Sequence, residues 1–96
     1  NVTVRSLLIK IYCETGQTDL LFAYLEATRI FLHRNQLLDP QIKKQMQKFV
    51  EYTAKLAKII PGERERYREL LEHLPPARDM MHREWLAGQI IKSTER

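Results

Sequence analysis

VRSLLIKIYCETGQTDLLFAYLEATRIFLHR, residues 4 to 34, decides the fold class. Val4, Leu7, Leu8, Ile11 and Tyr12 recur at intervals of three and four, so they share one face of a helix predicted over residues 2 to 15. Gly16 closes that helix, because glycine enters the left-handed conformation without steric cost. Thr18 or Asp19 is placed to cap a second helix, along which Leu21, Tyr24, Leu25, Thr28, Phe31 and Leu32 form one stripe. Phe22, Ala23, Ala27 and Ile30 widen the stripe, which predicts neighbours on two sides. A link this short turns the second helix back along the first and makes a helical hairpin.

Working outward, Asp39 before Pro40 is a start signal: a side-chain cap, then a residue whose missing N–H would have been unpaired anyway. The third helix is predicted to run to about Ile59, burying Ile42, Met46, Phe49, Val50, Thr53, Leu56, Ala57 and Ile60 and turning Lys44, Lys48, Glu51, Lys55 and Lys58 to the other side. Pro61-Gly62 breaks the chain. A fourth helix, about Glu63 to His73, has only Tyr67, Leu70, Leu71 and Leu74 for packing and is too short to stand alone. Its alternating charges suit pairs of Glu65 with Arg68 and Arg66 with Glu69. Pro75-Pro76 forces an extended link, after which Asp79 is expected to cap a fifth helix that buries Met81, Trp85, Leu86, Ile90 and Ile91. Trp85 is expected in the core against the third and fourth helices, and residues 93 to 96 are expected to fray. The class is therefore all-α, about five helices in antiparallel hairpins. Residues 1–96 form one domain: a hairpin over 1–34, a long helix over 39–60 and short capping helices over 63–96.

Ninety-six residues, 44% hydrophobic and 29% charged, suit a soluble core rather than disorder, and no apolar run approaches the roughly 18 residues a spanning helix needs. A start at Asn1, with a helical pattern at once and no leader, suggests a piece of a longer protein. Cys13 is the only cysteine, so no internal disulfide is available, and a reducing cytoplasm is the expected compartment. Asn1-Val2-Thr3 matches a glycosylation sequon, a triplet common by chance.

Tyr12, Gly16 and Asp19, with Leu8 upstream, resemble the turn of a tetratricopeptide repeat. Arg5 stands where that family has tryptophan, Ile9 where it has a small glycine, Leu21 and Thr28 where it has alanines, Leu25 where it has an aromatic and His33 where it has proline. The resemblance covers about a third of the chain, and the bulk at the small positions implies helices held further apart than in a regular repeat. The tail His82-Arg83-Glu84-Trp85-Leu86 is similar to endings of bacterial helical-repeat proteins of unassigned function. Together these imply the C-terminal part of a right-handed α-solenoid, a non-catalytic scaffold that binds a protein or peptide, with the charged fourth helix and the tail as its polar cap. They also imply that helix one, cut from its parent, exposes an apolar face through which the piece self-associates.

Lysines are the first candidates for contact with a partner. Residues 39 to 60 carry five against Asp39 and Glu51, which is +3 of the net +4, and Lys44, Lys48, Lys55 and Lys58 share a face. A nucleic-acid-binding accessory domain is the alternative use of that face, although Tyr52 is the one aromatic there on which a base could stack. Arginines of the fourth helix are a second candidate, for a phosphate or carboxylate. His33, His73 and His82 stand singly, so a metal site would have to be assembled across helices. Neither Ser6, Ser93 nor Cys13 has the setting of a nucleophile, and Gly16, Gly62 and Gly88 make no phosphate loop. Glu14, Asp19 and Glu26 serve as surface or capping carboxylates. An enzyme would need a pocket that joins Cys13 or Glu14 to a histidine; no catalytic residue, cofactor or metal is assigned.

Overall fold

The computed structural model describes residues 1–95. Those residues form α1 (Val2–Glu14), α2 (Thr18–Arg34), α3 (Pro40–Lys58), α4 (Arg64–Glu72) and α5 (Arg83–Thr94), with no strand among them. Each boundary follows from local chemistry. Asn1 Oδ1 accepts from the Val4 amide at 2.9 Å and caps α1. At its other end Gly16 takes φ +69°, the Gln17 N–H donates to Tyr12 O at 3.0 Å and the Gly16 N–H to Cys13 O at 3.3 Å. These two bonds are the Schellman closure that an αL residue permits. Asp39 Oδ1 accepts from the Gln41 N–H at 3.1 Å with Pro40 at the first helical position, as the sequence predicts for α3. Gly62, at φ +102°, turns the chain into α4.

Two starts differ from expectation. Gln17 occupies the cap position of α2 without a side-chain hydrogen bond, and Thr18 and Asp19 fall inside the first turn, where the Asp19 carboxylate faces the positive end of the helix dipole. Asp79 does not cap α5. Its N–H instead donates to Pro76 O at 2.9 Å in a turn fastened to α3: Gln41 and Gln45 side-chain amides donate to Arg78 O at 3.2 and 3.0 Å, and the Met81 N–H to Gln45 O at 3.2 Å. Helix α5 begins only after His82, held left-handed at φ 56°. It then stays helical to Thr94 rather than fraying at 93, with Ser93 and Thr94 hydroxyls bonded back to Gln89 O and Ile91 O. The part of the fraying expectation that concerned Arg96 lies outside the described residues.

Helix α2 packs against both α1 and α3, α4 pairs with α5, and α3 touches both members of that second pair. One core runs through all five helices, from Ile9 through Leu32, Phe49 and Leu70 to Ile90. A Cα radius of gyration of 13.0 Å matches a compact globule of this length. The predicted buried stripe of α2 holds, with Leu21, Leu25, Thr28 and Leu32 inside and Tyr24 and Phe31 half-buried; Ala23, Ala27 and Ile30 are exposed. Helix α4 docks through Tyr67 and Leu70, with Leu74 just beyond it, each worth about 1.5–3 kcal/mol when buried. On α3, Met46, Phe49, Val50, Thr53 and Leu56 are inside as predicted, whereas Ile42 is exposed, as are Ile60, which lies beyond the helix end, and Ile91 of α5.

The face of α1 is a correction. Val4, Leu7 and Ile11 are 50%, 57% and 41% exposed, Leu8 and Tyr12 are half-buried, and the fully covered residues are Ser6 and Ile9. Apolar residues surround most of this short helix, so its own periodicity underdetermines the buried side. Ser6 can go inside because its hydroxyl donates to Val2 O at 2.8 Å. The rotation also seats Arg5 with its guanidinium 4.2 Å from the Phe31 ring centroid and Nη1 donating to Thr28 Oγ1 at 3.2 Å.

Candidate partner-binding groove

Lys44, Lys48, Glu51, Lys55 and Lys58 follow one another at spacings of four, three, four and three, so on α3 they form a single row nearly parallel to the axis. Burial of the opposite face of α3 turns that row outward. The row forms one rim of a groove of about 680 Å³ between α2 and α3. Phe22 of α2 and Ala54 of α3, both half-buried, are the apolar side chains at its floor, with Leu25, Leu32 and Val50 buried beneath them. All four lysines singled out from the sequence therefore lie along one rim, over a rise of about 21 Å from Lys44 to Lys58.

Glu51 is the centre of the row. Its Oε1 lies 3.8 Å from Lys48 Nζ and its Oε2 3.5 Å from Lys55 Nζ, so one carboxylate engages the two inner lysines. Lys44 and Lys58, at the two ends, have no ion pair among the described residues. Lys55 Nζ also lies 4.6 Å from the centroid of the Tyr52 ring, occupying the one aromatic platform on this face. The facing rim on α2 is neutral: Arg29 Nε and Nη2 donate to Glu26 Oε2 and Oε1 at 3.0 and 2.6 Å. That fork holds the Glu26 carboxyl below its ordinary pKa and the Arg29 guanidinium above its own. The groove is thus apolar at the bottom, neutral on one wall and basic on the other. Its α2 wall was missed in the sequence, although Glu26 and Arg29 at i, i+3 carried the signal.

Other candidates separate in space or serve the fold. Trp85 packs edge to face on Phe49 of α3 with centroids 6.0 Å apart, and its Nε1–H donates to Glu14 Oε1 of α1 at 2.8 Å, a contact with α1 that the sequence did not suggest. His82 meets the same Phe49 ring edge to face, with centroids 5.1 Å apart. Burial and then the nearby Lys10 ammonium lower its pKa. His73 Nδ1 lies 2.7 Å from Glu69 O. Among the described residues no group of three or more His, Cys, Asp or Glu side chains is arranged to hold a metal. The hollow of about 460 Å³ that takes in Cys13 and Glu14 is walled by Tyr67, Gln89 and Ser93 and by no histidine. On α4, Arg68 pairs with Glu65 at 2.7 Å as predicted, but Arg66 turns to Glu63 at 3.7 Å rather than to Glu69.

On α1 the charged side chains are all turned aside: Arg5 over Phe31, Lys10 to within 5.8 Å of the Trp85 ring centroid, and Glu14 against the Trp85 N–H. Val4, Leu7 and Ile11 are left as an exposed uncharged stripe. No helix among the described residues is long and apolar enough to cross a membrane. The chain matches no known protein-family model, no curated protein and no solved structure.

Proposed function

We propose that this all-helical chain is a non-catalytic protein–protein interaction domain of helical-repeat type, taking a peptide or a segment of another protein into the groove between α2 and α3. The observation that carries the reading is the combination in one groove of an apolar floor with a row of four lysines along a single wall. An apolar floor supplies affinity by removing surface from water, and exposed charges beside it supply orientation and encounter rate more than affinity. The alternative, nucleic-acid binding through the same lysines, is weakened by Glu51 in the middle of the row and by the cover Lys55 gives Tyr52. The repeat-like reading draws further support from the α1–α2 hairpin, closed at Gly16 and joined by the edge-to-face pair of Tyr12 and Tyr24 at 5.9 Å. The same reading assigns the uncharged α1 stripe to contact with a second copy, because two net-positive chains can approach there without opposing like charges.

Affinity capture with and without nuclease, comparing the native chain with Ala54→Arg, tests this function. The expected result is a set of proteins retained after nuclease by the native chain and lost with the variant, whose fold is checked by circular dichroism. Capture that nuclease abolishes would move the function to nucleic acid.

A further inference from the structure

Glu51 divides the lysine rim into two basic ends. Lys44 and Lys48 lie before it and Lys55 and Lys58 after it, and the midpoints of the two pairs are separated along α3 by roughly 16 Å. A ligand lying in the groove meets positive charge at each end and a carboxylate halfway. An extended peptide presents alternate side chains at steps of about 6.6 Å, whereas the row made by the four lysines with Glu51 among them rises by alternating steps of about 6 and 4.5 Å, the spacing of a helix's own side-chain rows. A helical ligand therefore keeps register with the rim over its whole length, and an extended one drifts out of it. Phe22 and Ala54, the half-buried part of the floor, fit the apolar face of such a helix, and the neutral α2 wall makes no charge demand on its other side.

Resting on the groove reading above, we infer that the partner segment is an amphipathic α-helix of about fourteen residues with carboxylates in its first and last turns, on the side facing α3, and none at its middle. A carboxylate at the middle meets Glu51 and is repelled; carboxylates at the ends meet Lys44 and Lys58, whose ammonium groups carry no ion pair among the described residues.

The test is fluorescence anisotropy with labelled peptides of about fifteen residues that share one leucine face, with the length set by the groove. One carries glutamates in its terminal turns, one carries the same number in its central turns, and one carries glutamines throughout. An oligothymidylate of equal charge is the fourth probe. We expect the end-acidic peptide to bind at least about fivefold more tightly than the centre-acidic one, the scale that a few exposed ion pairs provide. Glu51→Lys, at an exposed position, should abolish that preference. Equal binding of the three peptides, or tighter binding of the central pattern, overturns the charge register. If such binding is still lost with Ala54→Arg, or with Gln47→Trp on the exposed groove wall should that variant not fold, the groove reading survives. Binding by no peptide, by the oligonucleotide alone, or binding indifferent to the groove variants overturns both.

Discussion

Replacing Phe49 with leucine tests how the second helical pair is held to the first three helices. The ring is fully buried on α3, edge to face with His82 at 5.1 Å and 62° and with Trp85 at 6.0 Å and 64°. Each aromatic pair of this geometry contributes about 0.5–1.5 kcal/mol beyond its area, so Phe49→Leu forfeits about 1–3 kcal/mol while filling most of the volume. A domain of 96 residues has roughly 5–14 kcal/mol of total stability, so the loss is a sizeable share. At about 4–8 °C per kcal/mol for a chain of this size, a change near the middle of the range lowers Tm by about 8–16 °C. Trp85 is the only tryptophan, so its emission reports on this junction alone. Thermal unfolding followed by circular dichroism and by tryptophan fluorescence should show the drop together with a shifted native emission. A fall under about 3 °C with unchanged emission would mean that Phe49 is not the joint we describe.

His82 is held at a lowered pKa by burial and by Lys10, so the folded state resists its protonation. The folded pKa lies below the unfolded one, and the stability this group contributes is present above pH 6.5 and lost as pH falls through the folded value. Urea titrations across that window should find the loss flattened in His82→Asn, which also tolerates the αL backbone; an unchanged slope would exclude His82 as its source. Thr53 is buried on α3 with an Oγ1 that has no hydrogen-bond partner among the described residues, so Thr53→Val should stabilise by about 1 kcal/mol in the same titration, and a destabilisation of that size would contradict the unpaired state. Light scattering should give the native chain a mass that rises with concentration and Leu7→Glu a constant monomer mass; a native monomer at every concentration removes the α1 contact.

Much of the element order was legible because the punctuation is local. Gly16, Asp39-Pro40 and Pro61-Gly62 act through φ preferences and a side chain reaching two residues along, and all three stand where the sequence put them. The buried sides of α2, α3 and α4 were legible for a related reason: polar residues on the opposite side leave one orientation that buries apolar surface. Helix α1 lacks that contrast, and a buried serine, satisfied by its own backbone, decided the rotation. The start of α5 was illegible because it depends on Gln41 and Gln45, more than thirty residues away, fastening the turn at Arg78.

The lysine row likewise needed only the helical period to be seen. Its companion floor did not follow from that period, because Phe22 and Leu25 belong to another helix and meet Val50 and Ala54 only once α2 lies beside α3. The sequence by itself determined an all-α chain, its breaks and a basic stripe, since these depend on interactions within a turn or two. Only the tertiary structure decided that the stripe edges an apolar groove and that α1 shows Val4, Leu7 and Ile11 to solvent, because each depends on how helices distant in sequence pack together.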